Sequence, residues 1–178
     1  MKEVILAVII IFLIACTPQE KIETKTVPKE VGNMKLTSDA FENNGEIPSD
    51  YTCDASDISP QLSIEDIPDN VKSLALIMDD PDAPVGTFVH WVVWNIPPDT
   101  IEIPKATEPN GIQGKTGFGK QGYGGPCPPS GTHRYFFKIY ALDTELDLLE
   151  GSTKADLEAV MQGHILAEVQ LVGNYKRQ

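Results

Sequence analysis

The sequence has few basic residues, few cysteines and no long hydrophobic segment. Its 178 residues include 14 Lys and Arg against 26 Asp and Glu, which gives a formal net charge of −12. A surface with this excess of negative charge repels phosphate backbones, so the composition disfavours nucleic-acid binding. The longest apolar run, Val4 to Ala15, has 12 residues, whereas a membrane-spanning helix needs roughly 20. Hydrophobic residues at 41% and charged residues at 22% are typical of a globular chain with one domain.

The sequence also lacks the signatures of common hydrolases, zinc sites and nucleotide sites. No serine lies in a G-x-S-x-G sequence, and there is no H-E-x-x-H or paired C-x-x-C element. Gly117, Gly119 and Gly122 match G-x-G-x-x-G. No strand pattern precedes these glycines, however, and a Gly- and Pro-rich stretch follows where a helix would begin. We therefore expect no dinucleotide site there.

The N-terminus has the pattern of a bacterial lipoprotein signal. The apolar run ends in Leu13-Ile14-Ala15-Cys16, which is similar to a lipobox whose cysteine is lipidated. Residues 17–34 are rich in Lys, Glu, Thr and Pro, so we predict a flexible tether there. We predict a signal segment at residues 1–16, lipidation of Cys16, and an extracytoplasmic protein anchored in the membrane. An uncleaved anchor or an ordinary secretory signal, which would give a secreted protein, is the alternative.

Two cysteines remain once Cys16 is assigned to lipid. In an oxidising compartment, Cys53 and Cys127 are expected to pair. Their disulfide would close a loop of 74 residues and stabilise the fold by about 4 kcal/mol through the lost entropy of the unfolded chain. Two free buried thiols are the alternative.

The apolar pattern from residue 35 onward is mainly that of short strands. The runs that predict strands are 74–78, 90–96, 135–140 and 167–172, with Pro and Gly clustered between them. Residues 152–163 predict a helix, because a Ser or Thr cap precedes an acidic residue and Gly163 can terminate the helix. The predicted fold is mainly β, a two-sheet antiparallel β-sandwich with one or two short helices, in one domain of residues 35–178.

Side chains suited to chemistry concentrate in three stretches beside the predicted strands. These are Asp79-Asp80-Pro81-Asp82-Ala83-Pro84, then His90, then Gly131-Thr132-His133-Arg134-Tyr135. If Asp80 meets a histidine, its carboxylate would fix the imidazole tautomer and raise its pKa. His133 and Tyr135 share one strand face, from which Arg134 points away. The set predicts an anion site, above all for phosphate, with Arg134 paired to Asp82 to hold two loops together.

Simpler interpretations exist for each of these stretches. An acidic Pro-rich loop is commonly a turn, a single histidine is commonly a satisfied polar residue, and Arg134 could be a structural ion-pair partner. A metal site made of His90, His133 and Asp80 is a further alternative, because two imidazoles and one carboxylate suit Fe or Zn.

The same stretches resemble the two signatures of the phosphatidylethanolamine-binding protein family. Asp80-Pro-Asp-Ala-Pro84 with His90 is similar to the first signature, and Gly131-Thr-His-Arg134-Tyr135 is similar to the second. Similarity to the family's prokaryotic Raf kinase inhibitor-like branch (YbhB/YbcL) extends over residues 34–177. The resemblance implies a two-sheet β fold with a small anion pocket at one end. Its lining, carried over by motif, would be Asp80, Asp82, His90, Pro128, His133 and Tyr135.

The resemblance implies a function in binding rather than catalysis. We predict a non-enzymatic protein without cofactor or metal that binds a phosphate-like anion or a phospholipid head group. Its N-terminal lipid would add the membrane as a second partner, and the dimers found among prokaryotic relatives suggest a homodimer. Inhibition of a serine protease or a protein kinase through protein contact is the alternative. A hydrolase that uses His133 as its base is a third hypothesis, which the absence of an activated nucleophile disfavours.

Overall fold

The computed structural model describes residues 33–177, which form two β-sheets and one α-helix. Cys16, the predicted signal segment and most of the predicted tether lie outside these residues. No helix between residues 33 and 177 is long and apolar enough to cross a membrane. The strands are β1 (Lys35–Thr37), β2 (Gly45–Glu46), β3 (Leu62–Glu65), β4 (Ser73–Asp80), β5 (Phe88–Ile96), β6 (Glu102–Ile103), β7 (Ile112–Gln113), β8 (His133–Leu142) and β9 (Ile165–Tyr175). The α-helix, α1, is Lys154–Met161, and a short 3-10 helix covers Ser49–Tyr51.

The two sheets differ in size and pack face to face. The larger sheet has the strand order β2-β9-β8-β4-β5-β7, and the smaller has the order β1-β3-β6. All pairs are antiparallel except β2 with β9. This arrangement confirms the predicted fold, a mainly β protein with two sheets and a short helix.

Residues of β4 alternate between two hydrophobic cores. Leu74, Leu76 and Met78 face the core between the sheets, whereas Ala75 and Ile77 face a second core under α1. Every residue of β4 is buried, because the strand lies in the middle of the larger sheet and both of its faces are covered. A strand buried on both faces reads as a continuous apolar run, which explains why the sequence indicated it so clearly.

The predicted helix and domain boundary need small corrections. α1 is shorter than the predicted range of 152–163, because Thr153 is its N-cap and forms a capping box with Asp156. Gly163 has φ +83° and follows the helix as predicted. Met34, which the prediction placed in the tether, is buried in the core between the sheets.

The outer face of the larger sheet carries a buried carboxylate bound by two lysines. Asp79, at 2% exposure, accepts hydrogen bonds from Lys138 Nζ at 2.9 Å on both oxygens. Lys154 Nζ on α1 lies 3.0 Å from Asp79 Oδ2. Lys154 also pairs with Glu158 at 3.2 Å. The Asp79 carboxylate therefore ties β4 to β8 and to the first turn of the helix.

We expect Asp79→Ala to lower the free energy of unfolding by about 3 kcal/mol, because it leaves two partly buried lysines without their shared anion. The matched control is Glu158→Ala, which removes only the helix pair with Lys154, leaves Asp79 in place, and should cost less than about 0.5 kcal/mol. Urea denaturation of the two variants measures both values. Equal effects of the two substitutions would show that the bonds of Asp79 to Lys138 and Lys154 do not stabilise the packing of the helix on the sheet.

Candidate functional site

A β-bulge brings His90 to the inner face of the larger sheet. Met78 on β4 is opposite Trp91, but the next residue, Asp79, is opposite Val89. His90 is thus an extra residue in β5, and such bulges re-aim side chains. Its ring packs edge-on against Tyr135 of β8, with ring centroids 5.2 Å apart.

The bulge opens onto a small cavity of about 270 Å³. The buried polar side chains Asp80, His90 and Tyr135 form its inner end. The remaining walls are largely apolar, and no lysine or arginine is among the described residues that line them. The wall residues are Ala83, Pro84, Val85, Phe88, Phe118, Cys127 and Pro129.

Asp80 is held by hydrogen bonds to both of its carboxylate oxygens. Its Oδ2 lies 2.7 Å from Nδ1 of His133, and its Oδ1 accepts the backbone N–H of Asp82 at 2.8 Å. Both Asp80 and His133 are buried. The carboxylate thereby orients the His133 ring and fixes the start of the loop that leads to β5.

His90 is held in one tautomer. Its Nδ1 lies 2.7 Å from the carbonyl oxygen of Gly124, and because a carbonyl only accepts, Nδ1 carries the proton. Burial lowers the pKa of His90, against the opposing effects of the Gly124 carbonyl and of Asp80. The neutral ring therefore has Nε2 as an acceptor. In this form His90 can donate through Nε2 only after it gains a proton.

Tyr135 contributes a buried hydroxyl to the cavity. The residue is fully buried, and its Oη has no hydrogen-bond partner among the described residues. Burial, followed by the nearby Asp80 carboxylate, raises the pKa of Tyr135 well above its ordinary value. The hydroxyl is therefore neutral, and it lies beside the Asp80 carboxylate and the Cys127 backbone. A buried hydroxyl without a partner is costly, so a group bound in the cavity would stabilise it.

Arg134 and Asp82 join the two loops beside the cavity. Nε and Nη2 of Arg134 donate to the two Asp82 oxygens at 2.8 and 2.7 Å, and the Arg134 backbone N–H adds a bond at 3.0 Å. These bonds lower the pKa of Asp82 to about 2. The pairing is the one that the sequence predicts. Asp82 is thereby occupied as a structural partner.

The structure brings together only part of the predicted lining. Asp80, His90 and Tyr135 line the cavity, whereas Asp82, Pro128 and His133 do not. Asp82 is turned to Arg134, and His133 acts on the cavity only through Asp80. Pro128 is buried, and its neighbour Pro129 takes the place at the wall. Neighbouring residues point their side chains in different directions. The sequence does not show which of the two prolines, Pro128 or Pro129, faces the cavity.

Sequence reasoning missed the aromatic walls and the glycines that pack on them. A Cβ at Gly117 would lie 2.6 Å from the Phe88 ring, and a Cβ at Gly124 would lie 2.5 Å from the Phe118 ring. Only glycine permits such close approach. The G-x-G-x-x-G stretch thus begins where the backbone packs against an aromatic wall of the cavity. The glycine pattern was visible in the sequence, but the close packing that requires it was not.

The described residues contain no group of three His, Cys, Asp or Glu side chains that could hold a metal ion. Asp80 is already bound by His133 and by a backbone N–H, and Nδ1 of His90 is bound to a carbonyl. The alternative of an Fe or Zn site therefore has no assembled ligand set in this part of the chain.

Comparison with known proteins assigns the family. The sequence model described as phosphatidylethanolamine-binding protein matches residues 37–176. The chain belongs to the phosphatidylethanolamine-binding protein family. It is 53% identical over 150 residues to a UPF0098 protein of Methanothermobacter thermautotrophicus, covering 81% of this chain and 99% of the relative. A UPF0098 protein of Aquifex aeolicus is also 53% identical, over 152 residues that cover 81% of this chain and 89% of the relative.

Two solved structures show the same family fold. One is a putative phosphatidylethanolamine-binding protein homologue from Chlamydia trachomatis, with 42% identity, a TM-score of 0.79, and coverage of 82% of this chain and 98% of that one. The other is YbcL of Escherichia coli, described as a new member of the mammalian family. It has 28% identity, a TM-score of 0.76, and coverage of 82% and 99%. The predicted family and branch are thereby confirmed.

We expect His90 to titrate below its ordinary value of 6.5, because burial disfavours the charged ring. The unfolded chain then takes up a proton at His90 before the folded chain does. Stability is therefore full above pH 6.5 and declines as the pH falls below it. Nitrogen-15 NMR of the imidazole rings measures the midpoint and the tautomer. A midpoint at or above 6.5, or a proton on Nε2 in the neutral form, would contradict this assignment.

Proposed function

We propose that the cavity binds a small phosphate-type anion, free or as the head group of a phospholipid, without changing it chemically. The observation that carries the proposal is the buried Tyr135 hydroxyl, which has no hydrogen-bond partner among residues 33–177. An anionic oxygen is a strong acceptor for such a donor. Membership in a family described as phosphatidylethanolamine-binding proteins supports the same class of ligand.

Binding an anion in this cavity requires a proton. Asp80 and the Nε2 atom of neutral His90 are both acceptors, and no lysine or arginine lies among the described lining residues. A phosphate monoester near pH 6 is partly protonated, and its P–OH can donate to one of these acceptors. Protonation of His90 would serve equally well by converting Nε2 into a donor. In either case the complex contains one proton more than the unbound phosphate dianion and the unbound site with neutral His90 contain together.

The apolar walls favour an ester over bare phosphate. Phe88, Phe118 and Pro129 form walls of the cavity between its buried polar end and the solvent. Val85, which also lines the cavity, is 86% exposed. Burial of apolar surface stabilises a complex by about 25 cal/mol per Å². An organic substituent on the phosphate would lie against these walls, while its charged oxygen meets Tyr135.

The composition of the cavity favours binding over catalysis. The lining residues within 33–177 include no serine, threonine or lysine that could attack a substrate, and Cys127 is held in a disulfide. His133, the base of the hydrolase hypothesis, is turned towards Asp80 by its Nδ1 and is not part of the lining. A non-enzymatic role is therefore part of the proposal.

We also propose that the protein acts outside the cytoplasm, attached to the membrane through Cys16. The disulfide between Cys53 and Cys127 supports an oxidising compartment, as does the lipobox-like sequence at the N-terminus. Anchoring by Cys16 would place the cavity near a phospholipid surface.

Inhibition of a protease or a kinase is the second candidate function. Val85 stands 86% exposed on the loop between β4 and β5, and an exposed apolar side chain at a cavity rim can serve as an anchor in a protein contact. Such a contact would not depend on the Tyr135 hydroxyl, whereas the proposed ligand binding does.

Phosphoethanolamine should bind about tenfold more tightly near pH 5.5 than near pH 8, because the complex needs the extra proton. Calorimetric titration at the two pH values measures the difference. Equal affinity at both values would mean that the anion is held without proton uptake, and no detectable binding at either value would overturn the proposed function.

Tyr135→Phe should weaken phosphoethanolamine binding by about tenfold or more, since it removes the hydroxyl donor at the inner end of the cavity. Tyr140→Phe is the matched control, because Tyr140 is half-buried on the same strand but points to the opposite face. That control should bind like the unaltered protein. Equal affinities of the two variants would exclude the Tyr135 hydroxyl as a ligand-binding group.

A further inference from the structure

The disulfide is built into the wall of the cavity. Cys53 and Cys127 are bonded, with Cα atoms 5.5 Å apart. Cys127 lines the cavity, while Cys53 is exposed to solvent on the loop that follows the 3-10 helix. The bond therefore connects a surface that a reductant can reach with a surface that a ligand would touch.

The wall segment around Cys127 has few other means of attachment. Three of its residues, Pro126, Pro128 and Pro129, have no backbone N–H and cannot donate hydrogen bonds. The carbonyl of Pro126 accepts the backbone N–H of Cys53 at 3.1 Å. This hydrogen bond therefore joins the same two segments that the disulfide joins. The covalent link is thus the strongest tie between the proline-rich segment and the rest of the domain.

The preceding residues connect the same segment to His90. Gly124 accepts from His90 Nδ1 at 2.7 Å, and its own N–H donates to the His90 carbonyl at 3.1 Å. Gly125 donates to Asp57 Oδ1 at 2.7 Å, and Tyr123 Oη donates to the carbonyl of Tyr51 at 2.7 Å. Residues 123–127 are therefore held between β5 and the loop that contains Cys53. Movement of the loop that contains Cys53 would therefore displace the Gly124 carbonyl, which fixes the His90 tautomer.

We propose that the Cys53–Cys127 bond is a thiol–disulfide exchange site, and that its reduction by a dithiol protein or small dithiol weakens ligand binding in the cavity. The ligand part rests on the proposed function. One thiolate of the reductant attacks Sγ of the exposed Cys53, forms a mixed disulfide and releases Cys127 as a thiolate that takes a proton from solvent. The second thiol of the reductant then closes its own disulfide and releases Cys53. The two cysteines gain two electrons and two protons, and the dithiol loses them.

Reduction changes the cavity by freeing its wall. The proline-rich segment keeps the hydrogen bond between the Cys53 N–H and the Pro126 carbonyl but loses its covalent link to the loop that contains Cys53, so Pro129 and Cys127 can move away from Phe118. Gly124 lies three residues before Cys127, so movement of the wall shifts its carbonyl relative to Nδ1 of His90 and weakens the bond that fixes the tautomer. The bound ligand would lose apolar contact and the defined arrangement of donors and acceptors beside Tyr135.

The test uses the full chain with Cys16→Ser, which leaves the disulfide pair as its only cysteines. The protein is compared oxidised, after treatment with dithiothreitol, and after reoxidation. Alkylation and mass measurement count the free thiols, calorimetry gives the phosphoethanolamine affinity, and nitrogen-15 NMR follows the His90 ring. The variant with Cys53→Ala and Cys127→Ala serves as the control for direct effects of the reductant, because dithiothreitol should not alter it.

We expect two thiols to form while the NMR spectrum stays dispersed, with affinity about tenfold lower and a shifted His90 signal, all reversed by reoxidation. Unchanged affinity and an unchanged His90 signal in the reduced protein would overturn the proposal. So would loss of native dispersion throughout the spectrum, because the bond would then be required for the fold itself. If the oxidised protein binds no phosphoethanolamine, the proposed function fails alone, and the His90 signal still decides whether the bond controls the cavity.

Discussion

The burial of both faces of β4 is the constraint on which the rest of the structure depends. The strand ends in two adjacent carboxylates, and alternation sends Asp79 to one face and Asp80 to the other. Neither has free access to water, so each needs partners inside the protein. Asp79 binds two lysines and secures the helix, whereas Asp80 orients His133 and borders the cavity. The end of β4 thus positions both the lysine-bound carboxylate under the helix and the carboxylate that borders the cavity.

The electrostatics of the cavity differ from those of the whole chain. The protein has a net charge of −12, yet its cavity combines one carboxylate with a neutral imidazole and a neutral phenol. Burial favours the neutral form of His90, and the Gly124 carbonyl fixes its tautomer. No basic side chain is among the described lining residues, so the cavity offers placed hydrogen-bond donors and acceptors between apolar walls and no general attraction for anions.

The four long strands β4, β5, β8 and β9 and the helix could be predicted because their apolar patterns are local, and β4 was the clearest since both of its faces are buried. The strands of two to four residues, β1, β2, β3, β6 and β7, lay outside the predicted runs, because such short segments carry too little pattern. The motif residues Asp80, His90 and Tyr135 were also accessible from the sequence. The bulge that turns His90 inward was not, because it depends on the register between two strands. Phe88, Phe118 and Pro129 were missed for a related reason: they meet only after distant loops fold onto the sheet, and Gly117 and Gly124 permit that approach.

The position of β9 has a consequence for the order of folding. This last strand lies between β2 and β8 in the larger sheet, and it pairs Gly45 with Gly173. β2 therefore has no neighbour in its sheet until β9 has been synthesised. Contacts so distant in sequence form slowly, so this edge of the larger sheet is completed late in folding.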